Sequence, residues 1–345
     1  MRSNGKLGSI RSFGTKLSSG ILSAAIVALA GGAGDRAWAT CGSANCFLVT
    51  GTEEGVGGEG HFTVDLSYRY IDQDRKLAGT KSVSEVLTPK VDFENGVLEL
   101  DHHSEIRTRN TLVEVDMAYG WTRRLTLAWA LPLINQRDHE HFDDADTPTP
   151  KFTNQDGSSG FGDVRLGARY LLLVRTKDIL VGSLFVKLPT GAYKLRDSEG
   201  AINEPTIQPG SGSTDGIASI LYSHQVIPNQ GEWFLSVSQK TNGENDLAYR
   251  FGDETQGGAG WRYKTQHDLT WSIQVNGRRT LRDTFLGRSV PSTGSTIVHL
   301  TPGIRFEAKT GTSIYAFVQV PIYEQVNEQN LAPNAGLVLG LSHVY

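Results

Sequence analysis

The groups best suited to chemistry are histidines set among acids. Residues 137–146 read Arg137-Asp138-His139-Glu140-His141-Phe142-Asp143-Asp144-Ala145-Asp146, and residues 101–105 read Asp101-His102-His103-Ser104-Glu105. In an extended chain, side chains two apart point the same way. His139 and His141 therefore project together, and with Asp138 or Asp143 they offer the imidazole and carboxylate donors that hold a divalent transition metal. His102 or His103 completes such a set if the two tracts fold against one another. The competing reading is a pair of solvated acidic loops, because H-x-H without fixed outer ligands is a weak pattern. Loop acids would equally suit Ca²⁺ bridging lipopolysaccharide phosphates. Ser223-His224 and Ser342-His343 set a hydroxyl beside an imidazole, yet neighbours on a strand face opposite sides, so neither pair makes a nucleophile with its base. Without a Walker loop, dinucleotide fingerprint, zincin helix or nucleophile elbow, the chain reads as a non-enzyme with no cofactor.

The elements that position these groups begin after an export address. Lys6, Arg11 and Lys16 precede a small-residue apolar stretch at residues 17–34, and Ala37-Trp38-Ala39 is a small-x-small cleavage pattern. The expected signal peptide is residues 1–39. Its apolar core, residues 21–30, is too short for a spanning helix. Losing it takes away five cations and one anion and moves the net charge from −4 to −8, which argues against a nucleic-acid partner. Residues 40–60 form a periplasmic segment in which Cys41 and Cys46 suit a small disulfide in an oxidising compartment. With only these two cysteines, no Cys-rich metal scaffold is available.

From residue 61 onward one pattern recurs. Phe62, Val64, Leu66, Tyr68 and Tyr70 alternate with Thr63, Asp65, Ser67 and Arg69, which is the period-two signature of a strand with one apolar and one polar face. Val113 to Tyr119, Leu125 to Leu131, Val164 to Tyr170, Leu269 to Val275 and Val298 to Phe306 repeat it. Less regular runs lie at 178–189, 215–226, 231–240, 255–263, 312–322 and 335–345. Twelve strands result, an even number, as a closed bacterial barrel requires. The links after even-numbered strands are brief. Those after strands one, three and five are long and rich in Asp, Gly, Pro, Ser and Thr, and those after seven, nine and eleven are intermediate. The expected fold is an all-β, closed antiparallel transmembrane barrel over residues 61–345, with short periplasmic turns and long extracellular loops.

Hydrocarbon satisfies no backbone group, so apolar faces must point outward and polar faces inward. By parity the lumen receives Arg69, Glu114, Asp116, Arg124, Asp163, Arg165, Arg169, Lys187, Arg262, Arg278 and Arg305, giving a polar, ion-paired and mildly cationic bore. These charges either brace the barrel or favour anionic solutes. Phe185, Phe234, Tyr315 and Phe317 share the inward parity and either line a path for an aromatic solute or fill space. Trp121, Tyr170, Tyr222, Trp233, Trp261 and Tyr263 stand at strand ends, where interfacial girdles form.

Three motifs follow in order: Ser159-Gly160-Phe161-Gly162-Asp163-Val164-Arg165-Leu166-Gly167-Ala168-Arg169-Tyr170, then Phe185-Val186-Lys187-Leu188-Pro189-Thr190-Gly191, then Gly210-Ser211-Gly212-Ser213-Thr214-Asp215. This order resembles the outer-membrane channel family named for the MetA pathway of phenol degradation, over about residues 105–345. The resemblance implies transport of small hydrophobic or aromatic compounds and carries over no binding residue. The terminal strand, with Leu337, Leu339, Leu341 and Tyr345 on one face, resembles the signal read by the outer-membrane assembly machinery, although His343 interrupts that face. The expected partners are outer-membrane lipid and lipopolysaccharide, that machinery and a small solute. The function expected is a channel for small hydrophobic, aromatic or anionic solutes. The alternatives are a metal-binding surface barrel with an occluded lumen and, further off, a lipid-modifying enzyme.

Overall fold

Alternating strands are stable in hydrocarbon only where every backbone group finds a partner, and a sheet achieves that by closing on itself. The structure, a computed structural model, describes residues 58–345 other than 198, 309 and 310. Twelve antiparallel strands close into a ring. In chain order they are β1 (Phe62–Ala78), β2 (Val97–Gly120), β3 (Leu125–Asp143), β4 (Arg165–Val174), β5 (Asp178–Lys187), β6 (Asp215–Ile227), β7 (Gly231–Thr241), β8 (Glu254–Lys264), β9 (Leu269–Thr280), β10 (Ser295–Glu307), β11 (Thr312–Val326) and β12 (Gln329–Val344). Each pairs with the next. β12 returns to β1 in a register running from Thr63 opposite Val344 to Ala78 opposite Gln329. The expected twelve-stranded transmembrane barrel is the fold observed, and the only helical turn among the described residues is the 3-10 turn Pro205–Ile207. Residues 1–39, Cys41 and Cys46 lie outside the described residues.

The outside of the ring is apolar. Leu66 is 44% exposed, Leu184 69% and Ile273 51%, which no water-soluble sandwich would leave bare. Inward positions carry polar, charged and small groups, and Asp65, Ser67, Glu114 and Thr126 are buried. Trp121, Tyr170, Tyr263 and Trp271 are exposed near the short-turn end, where Tyr222 packs on Trp233 with centroids 5.2 Å apart. That is the placement of an interfacial girdle.

Strand lengths depart from the sequence reading. A tilted span needs about 9–11 residues, but β1, β2 and β3 have 17, 24 and 19. Their excess rises beyond the membrane at the long-loop end as a polar wall, on which the short strands Leu87–Asp92, Lys151–Thr153 and Ser158–Gly160 pair. Strand β12 has 16 residues, and only Asn327 and Glu328 join it to β11. The eleventh link is therefore a tight turn and not an intermediate loop, because the β11 and β12 pair continues past the bilayer.

Three links meet over the long-loop end. Val91 and Phe93 from the link after β1, Tyr249 and Phe251 from the link after β7, and Phe285 and Val290 from the link after β9 form an apolar cap with Leu98. Phe93 meets Phe285 edge-on at 5.4 Å. The link after β5 docks its Pro205–Ile207 turn inward, where Asn135 Nδ2 donates to Pro209 O at 2.6 Å and Val91 N donates to Glu204 Oε1 at 3.2 Å.

Candidate functional site

Inside the ring, the three sequence motifs converge on one buried knot. Lys187 Nζ, at the end of β5, lies 2.8 Å from Asp163 Oδ2 and 2.8 Å from Asp215 Oδ2. Lys240 of β7 adds a second cation 3.4 Å from Asp215. Asp163 also accepts from the backbone N–H groups of Gly191 and Ser211 at 3.0 and 2.9 Å. The glycines explain themselves here: a Cβ on Gly210 would stand 2.5 Å from the Gly191 backbone. The motif residues thus tie β4, β5 and β6 and their links together.

Lower in the bore, Glu114 of β2 is clamped from two sides, by Arg69 of β1 at 3.1 Å and Arg165 of β4 at 2.7 Å. Arg165 reaches it across β3, whose inward side chains there, Ala128 and Ala130, are small and buried. Asp116 lies 3.8 Å from Arg69, and Arg278 lies 3.7 Å from Glu254. Three guanidinium groups lie over inward rings: Arg262 over Phe234 at 4.3 Å, Arg305 over Tyr315 at 5.5 Å and Arg169 over Phe185 at 5.8 Å. Ile71, Leu112, Tyr315, Phe317 and Val338 form an apolar patch on the inner wall. Arg124 does not line the lumen. β3 begins at Leu125, so Arg124 falls in the short turn, exposed, with its N–H on Thr122 Oγ1 at 3.2 Å.

Among the described residues, cavities flank this region at both ends. One of about 230 Å³ opens at the short-turn end and is lined by Glu232, Arg262, Lys264, Arg305, Glu307 and Phe317 among others. The other, of about 80 Å³, lies beneath the cap, with His103, Glu105, His139, Glu204 and Tyr249 in its wall.

The four histidines sit on strands, not on loops. β2 and β3 continue as a paired ladder past the bilayer, with Ser104 opposite Phe142 and Glu105 opposite His141. Ring centroids are 4.6 Å apart for His139 and His141, 4.3 Å for His103 and His141, and 4.9 Å for His102 and His103. Asp143 Oδ1 lies 3.0 Å from both His103 Nε2 and His141 Nε2. Asp156, from the link after β3, lies 3.6 Å from His141, and Glu105 lies 3.4 Å from His139. Asp138 stays exposed, accepting from Gln136 at 2.9 Å.

All these groups stand outside the membrane-crossing band. Burial drives the His139 imidazole down to about 4, against the pull of Glu105. Burial also opposes charge on His103, yet the Asp143 hydrogen bond and the nearby Glu204 and Glu105 charges hold its pKa up. Asp143 is buried enough to be raised, but hydrogen bonds with His103 and His141 hold it far below the usual carboxylate range. The sequence offers no signal for Asp156, Glu204, Thr88 or Thr108. The first two arrive on links, Thr88 Oγ1 donates to Glu105 at 2.6 Å, and Thr108 Oγ1 lies 2.8 Å from His139 Nδ1.

The hydroxyl and imidazole neighbours part company. Ser223 Oγ donates to Glu232 at 2.8 Å, while His224 Nδ1 lies 2.8 Å from Asp178 and its ring packs on Trp233. His343 lies at the short-turn rim, where its Nδ1 is 2.8 Å from Thr312 Oγ1.

No protein-family model matches the sequence, and no curated protein matches it. Among solved structures, the COG4313 outer membrane channel from Pseudomonas putida F1 superposes with a TM-score of 0.64 at 15% identity, covering 86% of this chain and 100% of that one. The chain has that channel's fold. The NanC porin (TM-score 0.41, 9% identity, 82% and 98% covered) and the P. putida toluene transporter TodX (0.38, 12%, 84% and 91%) match more loosely.

Proposed function

We propose that the protein is an outer-membrane channel for small solutes, and that its bore favours aromatic compounds carrying a negative charge. The reading rests on the inner wall, where guanidinium groups lie over Phe234, Tyr315 and Phe185 beside an apolar patch. Phe234 and Tyr315 are buried beneath their guanidinium groups, so an anionic solute would meet the partly exposed cations they back, and an aromatic one the partly exposed ring of Phe185. The likeness to the COG4313 channel over that channel's whole length supports the transport reading, and the apolar coat supports placement in the outer membrane among lipid and lipopolysaccharide. Insertion by the assembly machinery would use β12 and the Tyr345 that follows it, whose N donates to Phe62 O at 2.8 Å beside the closing seam.

The test is conductance of the purified barrel in planar bilayers. Discrete openings are expected, with benzoate blocking or permeating more readily than acetate. A barrel that inserts but never conducts, or that treats benzoate, acetate and ammonium alike, refutes the reading.

A further inference from the structure

The carboxylates at the top of the β2 and β3 wall have a deficit of fixed positive charge. Asp143, Asp156 and Glu105 are drawn together there with Glu204, and the ion pairs that Asp143, Asp156 and Glu105 make are all to histidines. Asp156 and Glu105 are 5% and 7% exposed, and one oxygen of each, Asp156 Oδ1 and Glu105 Oε2, is buried without a hydrogen-bond partner, as is His141 Nδ1. A buried carboxylate left without a compensating partner is costly. Ligand atoms of His141, Asp143 and Asp156 all lie within 4.8 Å of one another, and so do those of His102, His103 and Asp143. Asp143 is common to both triples.

We infer that this wall is a metal site in which His103, His141, Asp143 and Asp156 hold one divalent transition ion, with zinc the best fit. Two imidazoles and two carboxylates are a borderline-soft set that suits tetrahedral Zn²⁺. His103 of β2 and His141 of β3 each hold Nε2 3.0 Å from Asp143 Oδ1, with their ring centroids 4.3 Å apart, so rotation of the two imidazoles about this shared oxygen would turn both nitrogens toward one centre. Asp156 closes the set from the link after β3, and this gives the ion a structural role. It fastens residues 144–164 to the wall beside the capped cavity, joining three separate chain segments through one centre.

The test is zinc titration of chelator-stripped, detergent-folded protein against a chromophoric chelator, with heat-modifiable gel mobility as the check on folding. One tightly bound equivalent is expected. His103→Ala and His141→Ala should each weaken it by about 100-fold, and Asp156→Asn by about tenfold or more. His267→Ala, which removes an exposed histidine at the short-turn end, should change nothing. If a histidine variant fails to fold, Asp156→Asn carries the test, because that residue lies off the ring. Zinc should protect the 144–164 link from protease in the parent protein and not in that variant. Absence of a tight equivalent, or one indifferent to Asp156→Asn and to the foldable histidine variants, overturns the assignment. Bilayer conductance is scored separately, so the site and the channel can fail independently.

Discussion

The ring of Phe234 on β7 covers Gly260, its direct partner on β8, so that a Cβ at Gly260 would meet the ring at 2.4 Å. The same pairing joins Phe317 to Gly303, Tyr315 to Gly340 and Phe185 to Gly167. Each ring covers a position on the neighbouring strand that offers no side chain. Gly260→Ala should therefore cost about 1–3 kcal/mol through overpacking. Urea unfolding in lipid, followed by tryptophan fluorescence, measures it. Combined with Phe234→Ala, the double variant should lose less than the two single losses together; strict additivity would mean that ring and glycine do not interact.

Lys187 is the cation that lets two carboxylates be buried at one place. Lys187→Met should destabilise the barrel by about 3–5 kcal/mol, because Asp163 and Asp215 lose their shared partner. Adding Asp163→Asn should recover part of that loss. An unfolding midpoint unchanged by Lys187→Met would show that the knot of motif residues does not hold β4, β5 and β6 together.

The barrel was legible because period-two alternation survives wherever one face meets lipid, as Leu66, Leu184 and Ile273 show. Above the bilayer neither face meets hydrocarbon, so residues 97–110 alternate nothing and read as loop, although they form the top of β2. The shared side of His139 and His141 follows from strand geometry in any solvent. Asp156 and Glu204 reach the cluster only through the folding of links, which leaves no local pattern to read. Arg124 stands one residue before β3, and that boundary, which side-chain alternation alone does not mark, moves it from bore to turn.

At the short-turn cavity, Arg262, Lys264 and Arg305 face Glu232 and Glu307, a small cationic excess at the entrance. Arg262 also pairs with Glu232 at 3.0 Å. Arg262→Ala should erase the excess and lower anion preference, seen as a shift of the zero-current potential toward cation selectivity under a KCl gradient. An unmoved potential with unchanged conductance would place selectivity elsewhere in the bore.

The cap carries its own pH dependence through Asp283, which accepts from Tyr249 OH at 2.6 Å and from Gly252 N at 2.8 Å. Burial pushes its carboxyl up to about 6, against these hydrogen bonds and the Lys240 charge. The folded pKa exceeds the unfolded one, so the folded cap holds its proton more tightly than the unfolded chain does. The added stability is fully present below about pH 4 and is lost as pH rises through about 6. A shift from 3.8 to about 6 corresponds to about 3 kcal/mol. Amide exchange in residues 242–253 and 281–294 should therefore be slower, after correction for intrinsic rates, at about pH 4 than at about pH 7.5. Asp283→Asn, which keeps the side-chain shape and removes the charge, should flatten the difference. Equal protection at both values in the parent protein, or a slope that persists in the variant, would mean that Asp283 does not set the stability of the cap.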